Sequence, residues 1–177
     1  MKKAIRYILL TVCVCVFCYS AYNLINIYLN YKKIDDDYGE LAKTYTKEKE
    51  EKEEKESYLQ INWDELLQRN KDVKAWIQIP NTNVNYPVLQ GETNDTYIHS
   101  DIDHNELSAG SIFIASENED PFNDFNTVIY GHNMKIGGEM FSQLKEYEEE
   151  SFYKEHPNFY IYTPDGKTRT YTVFSAA

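Results

Sequence analysis

The run from Tyr7 to Tyr31, YILLTVCVCVFCYSAYNLINIYLNY, has no formal charge and constrains this chain more than any other feature. A helix needs about 20 residues to cross the hydrocarbon core of a bilayer, and this run exceeds that length. Asn23, Asn26 and Asn30 make its second half the weaker one. Lys2, Lys3 and Arg6 precede the apolar core, as they would in a cleavable signal peptide. Cleavage after Ala21 would put bulky Tyr19 at the −3 position, and no small-x-small pair is better placed. The expectation is an uncleaved signal anchor with a cytoplasmic N-terminus and the rest of the chain outside, although Lys32 and Lys33 dilute the charge asymmetry.

Charge narrows the partners. Five of the eighteen Lys and Arg residues fall in the first 33 positions, which hold no acid, so the remaining thirteen face all twenty-nine Asp and Glu. A surface of that sign repels phosphate backbones and excludes nucleic acid as a partner. All three cysteines, Cys13, Cys15 and Cys18, lie in the apolar run, where they read as small hydrophobes. The exported part therefore has no thiol for a disulfide, a zinc site or nucleophilic attack.

Residues 32–60 are charged, and KEKEEKEEKE at 47–56 is low in complexity. Glu48 with Lys52 and Glu51 with Lys55 stand at i,i+4, which predicts a solvated helix or semi-rigid stalk. The globular part is expected from Ile61. Asn62 caps a short helix bearing Trp63, Leu66 and Leu67, which NKD at 70–72 closes. AWIQIP (75–80) and VNYPVLQ (84–90) alternate as strands, with Pro87 arguing for an edge or a bulge. GSIFIA (110–115) and TVIY (127–130) read as short buried strands. Met140, Phe141, Leu144 and Tyr147 recur at helical spacing. FYIYTPDGKTRTYTVF (159–174) predicts a hairpin turning on Pro-Asp-Gly, with its second strand running to Ala177. A chain ending inside a strand suggests truncation. Mostly β structure, about six strands with two or three short helices, points to a partly built barrel or sandwich.

Few constellations here bear chemistry. HSDIDHNE (99–106) gathers His99, Asp101, Asp103 and His104. As a calcium loop counted from Asp101 it has Glu106 where glycine is needed and Ile112 where glutamate is needed, and it lacks a zinc frame. A solvated loop is expected, with no metal and no cofactor. G-x-S-x-G is absent, and Ser108, Ser111 and Ser116 have no motif around them. His156 precedes a proline at a helix end and reads as a cap. His132 follows an apolar run and Gly131, and precedes a loop containing Gly137 and Gly138, so a ligand can approach it. Its imidazole titrates near neutral pH and suits acid or base work.

WIQIPNTNVNYPVLQGETNDTYI, GSIFIA, NTVIYGHNMKIGGEMFSQLKEY, SFYKEHP and YTVFSA follow one another in an order that resembles class B sortases, the membrane-anchored cysteine transpeptidases of Gram-positive bacteria. The likeness runs from about Trp63 to Ala176. It implies a mainly β fold, an eight-stranded β-barrel with inserted short helices, here lacking its last strands, behind an N-terminal transmembrane helix. The implied domains are a cytoplasmic tip and anchor at 1–31, a stalk at 32–60 and a partial catalytic domain at 61–177.

The implied reaction cleaves an N-P-x-T-x sorting signal through a cysteine thioester, which an amine of the peptidoglycan cross-bridge or its precursor resolves. Surface proteins bearing that C-terminal signal are the implied partners. His132 matches the family histidine, a general acid and then a base, and Asn94 and Tyr130 match positions lining the sorting-signal groove. The cysteine of the T-L-x-T-C motif and the arginine after it have no counterparts, and Arg169 precedes that region. The chain as it stands is expected to be inactive. The competing reading is a non-enzymatic anchored binding module or a decayed sortase.

Overall fold

The computed structural model describes residues 2–49, 58–134 and 138–176. Helix α1, Lys2–Tyr45, runs unbroken through the apolar stretch and beyond it, and is long and apolar enough to cross a membrane. At about 1.5 Å per residue it extends roughly 65 Å.

The stalk expectation fails over its first third. Ile34, Tyr38 and Leu41 are buried in the main core. Their i, i+4, i+7 spacing draws one narrow apolar stripe down an otherwise charged helix, which average composition conceals. The Tyr38 hydroxyl donates to the Gly110 carbonyl at 2.7 Å, and its ring meets Tyr86 edge-on at 5.3 Å. Burial pushes the Tyr38 phenol far above its usual range.

After α1, strand β1 (Thr46–Lys49) pairs antiparallel with β2 (Tyr58–Ile61). Glu48 thus stands opposite Leu59 in a strand, and Lys52, Glu51 and Lys55 of the expected helical pairs lie outside the described residues. Helix α2 (Trp63–Arg69) forms where its cap predicts, with the Asn62 side chain accepting from the Glu65 amide and Asn70 closing it.

Six strands form one sheet: β3 (Val73–Gln78), β4 (Asn85–Leu89), β5 (Ile112–Ile114), β6 (Ile129–Tyr130), β7 (Asn158–Tyr162) and β8 (Thr168–Thr172). Their spatial order is β6-β5-β4-β3-β7-β8, antiparallel except for β4 with β5. Strand β4 is internal, so Pro87 does not mark an edge. The expected bulge exists, but on the partner strand, where the register slips between Val73 and Ala75. Pairing of β4 with β5 begins at Val88, one residue after the proline, so that side makes no demand on its missing N–H.

Three further expectations change. TVIY yields only a two-residue edge strand, with Tyr130 45% exposed, because among the described residues no strand pairs on its outer side. Strand β8 ends at Thr172 and does not run on to Ala176. The segment after Met140 is a 3-10 helix over Ser142–Glu148, followed by helix α3, Glu150–Glu155. Phe141, Leu144 and Tyr147 are three apart, which is the 3-10 repeat.

The β7–β8 hairpin forms as predicted, with Gly166 at φ +80° in the turn. The sheet curls toward a half-barrel. Its two outer strands, β6 and β8, line the same cavity of about 770 Å³, together with Ile77, Leu144, Phe159 and Val173. Among the described residues this sheet supplies six of the eight strands expected of the barrel wall.

Candidate active site

Strand β6 delivers Gly131 and His132 to the rim of the half-barrel. A Cβ on Gly131 would lie 2.4 Å from Ile112 Cδ1 and 2.6 Å from Phe141 Cδ2, so any larger residue would have to push these two side chains aside. His132 is half-buried, and its carbonyl accepts the Phe141 amide at 3.1 Å. Asn133 forms an antiparallel bridge with Met140.

Met140 holds a left-handed φ of 56°, is fully buried, and donates its amide to the Tyr86 hydroxyl at 3.0 Å. Burial pushes the Tyr86 phenol up to about 12. Next to Met140, Glu139 is buried with Oε2 unpartnered. Burial raises its carboxyl pKa, and the Asp35 carboxylate of α1 adds in the same direction.

A second imidazole stands against the first. His99 meets His132 edge to face, with ring centroids 5.5 Å apart. The loop bearing His99 is pinned to the start of β5: the Ser111 amide donates to the Tyr97 carbonyl at 3.0 Å, and Ser111 Oγ donates to the Ser100 carbonyl at 2.8 Å. Sequence reading placed His99 only among metal candidates. The contact joins segments far apart in the chain, and no local spacing announces it.

The remaining candidates sort by their contacts. Tyr130 packs its ring at a tilt against Phe113, centroids 5.3 Å apart, directly opposite it in the β5–β6 register. Asn94 lies elsewhere. Its Oδ1 accepts the Ser116 amide at 2.8 Å just past the C-terminal end of β5, and its Nδ2 donates to Glu117, whose carboxyl is held below its usual range. His132 and Asn94 therefore mark opposite ends of β5.

Asp103 is taken by Arg69 in a two-pronged pair, at 2.8 and 2.6 Å, which lowers its pKa. His104 stacks on Tyr97, and Asp101 accepts the amides of Asp103 and Asn105, so of the four candidate ligands Asp101, Asp103 and His104 are engaged in structural contacts. Among the described residues no three His, Cys, Asp or Glu side chains are grouped to hold a metal. Ser111 is spent on structural bonds, and His156 caps α3 with its ring on Phe152. Arg169 bonds Thr163 Oγ1 at 2.9 Å at the hairpin turn.

The chain thus combines a helix long and apolar enough to cross a membrane with a half-barrel that carries a strand-end histidine on its rim. A sortase domain model matches residues 77–177, more than half of the chain. Sortase B of Staphylococcus aureus is 32% identical over 158 residues, 88% of this chain and 62% of that protein. Sortase B of Listeria monocytogenes is 43% identical over 95 residues, 54% of this chain and 38% of that protein. Among solved structures, sortase B of Bacillus anthracis in complex with AAEK1 superposes with a TM-score of 0.69 at 29% identity, over 84% of this chain and 68% of that one. A Streptococcus pyogenes class B sortase involved in pilus biogenesis gives a TM-score of 0.60 at 34% identity, over 64% and 62%. The chain belongs to the sortase family, on its class B branch. It spans between 38% and 62% of the length of these curated relatives.

Proposed function

We propose that this chain is the histidine-bearing part of a class B sortase, a cysteine transpeptidase that joins surface proteins to the cell wall. In that reaction a thiolate attacks the carbonyl after threonine in an N-P-x-T-x sorting signal. His132 protonates the departing amine, leaving a thioester. An amine of the peptidoglycan cross-bridge or its precursor then attacks the thioester, and His132 takes that amine's proton. An arginine stabilises the oxyanion. Tyr130, opposite the middle of β5, and Asn94, just past its C-terminal end, border the groove that receives the signal.

Residues 1–31 form the anchor with a cytoplasmic N-terminus, and the domain stands outside. Cys13, Cys15 and Cys18 all sit on α1 within the apolar run, so none of them is the nucleophile.

The observation carrying this reading is the position of His132, half-buried on the rim at the end of β6, with half-exposed Tyr130 beside it. The test adds an N-P-x-T-x peptide to the 177-residue chain in micelles. Shifts of the His132, Tyr130 and Asn94 resonances are expected, without cleavage, and His132→Ala should remove the imidazole response alone. Cleavage by this chain, or a peptide that moves none of the three, would overturn the assignment.

A further inference from the structure

The same helix that is apolar enough to span a bilayer is built into the domain core three residues after its uncharged run ends. Tyr31 closes that run, Lys32 and Lys33 are exposed, and Ile34 is already buried. No turn, glycine or proline interrupts α1 between them. We infer that α1 is a rigid strut that seats the domain on the phospholipid surface at fixed height and orientation, with the His132 end of the sheet nearest the headgroups. The inference rests on reading α1 as membrane-spanning.

The helix serves as a ruler. At about 1.5 Å per residue, Tyr38 stands roughly 10 Å above Tyr31 and Tyr45 roughly 20 Å above it. Tyr38 bonds the Gly110 carbonyl and Ser111 Oγ, where β5 begins and the His99 loop is fastened. It also packs on Tyr86, whose hydroxyl holds the amide of Met140, the residue before Phe141, whose own amide bonds the His132 carbonyl. The lower level of the helix thus meets the parts of the domain that hold both histidines. At the upper level, Tyr45 accepts the Asn62 amide and shares a cavity with Pro164 of the β7–β8 turn.

Charge does not set this height. Lys32 and Lys33 suit anionic headgroups, but exposed Asp35, Asp36 and Asp37 follow within a turn and are repelled by them. The seat is mechanical and therefore insensitive to salt, whereas docking by surface charge weakens as ions screen it.

The experiment uses the full chain with Cys13, Cys15 and Cys18 replaced by alanine, reconstituted in phosphatidylcholine–phosphatidylglycerol vesicles. A donor dye is placed at Ser108→Cys or at Thr168→Cys, both exposed positions, and energy transfer to headgroup acceptors is measured. The Ser108 label should lie nearer the headgroups by about 10 Å, the rise between the two levels of the helix. Its distance distribution should be narrow and unchanged in high salt. A flexible Gly-Ser insertion between Lys33 and Ile34 should broaden both distributions and erase the difference. Preserved amide exchange in β3 and β4 would show that the domain still folds. Equal, broad distances in the uninterrupted chain, with the chain retained after a carbonate wash, would overturn the seat alone. Release by carbonate would overturn the spanning helix and the seat with it.

Discussion

Replacing Gly110 by alanine tests whether the joint between α1 and the sheet is as tight as its geometry implies. Gly110 has φ +56°, and a Cβ there would lie 2.3 Å from the Ile98 carbonyl oxygen and 2.6 Å from that of Tyr97. Both obstacles are backbone, and the Tyr97 oxygen is already held by the Ser111 amide at 3.0 Å. The left-handed conformation costs alanine about 1–2 kcal/mol, and forced overpacking adds about 1–3 kcal/mol. The stiffer unfolded chain returns about 0.4–1 kcal/mol, so G110A should lose roughly 2–4 kcal/mol. Urea titration of the full chain in micelles, followed by tryptophan fluorescence, should show this as a midpoint lower by about 1–4 M at an m-value near 1–2 kcal/mol/M. Gly166 provides the control, because it has φ +80° but nothing within 4 Å of a Cβ. G166A should lose only the conformational part, about 1 kcal/mol. If G110A matched G166A, the Gly110 carbonyl would not be clamped as described, and neither would Tyr38 above it.

Two further outcomes probe Glu139 and Met140 beside His132. Tyr86→Phe removes the hydroxyl that accepts from the buried Met140 amide, its one partner among the described residues; an unpartnered donor costs about 1–3 kcal/mol, so exchange of that amide should quicken on the order of tenfold or more. Glu139 has a carboxyl pKa raised by burial, so the folded state binds its proton more readily than the unfolded chain. Its stabilising contribution is complete below the unfolded value of about 4.3 and is lost as pH rises through the folded one. E139Q, which keeps the uncharged form, should therefore melt higher than the parent chain at pH 7.5 and level with it near pH 4; a lower melting point at pH 7.5 would show that the carboxylate has a stabilising partner.

What could be read from the chain was what is locally encoded. Asn62 with Trp63 to Arg69, and Pro-Asp-Gly between two alternating runs, contain their own start and stop signals, and both elements formed there. The docking stripe of α1 escaped notice because three apolar residues were outnumbered by lysines and acids. Pro87 was misread for a related reason: an internal strand can hold proline where its neighbour on one side has not yet begun to pair. In the site, His132 was legible from Gly131 and the run before it. Its neighbour His99 was not, since the two meet only once the loop after β4 is fastened to β5.

The order of strands also sets a timetable. Strand β3 lies in the middle of the sheet, and its neighbours come from opposite ends of the domain: β4 immediately, β7 only when Trp76 meets Tyr162. A ribosome adding about 5–20 residues per second needs roughly 4–17 seconds to make the intervening chain. For that interval the flank of β3 that awaits β7 is an open row of donors and acceptors, the kind of edge on which foreign strands assemble. Until β7 is made, β4 is the only native neighbour β3 can find, and a two-stranded hairpin alone is at best marginally stable in water, so exposure of this edge to other chains precedes assembly of the site.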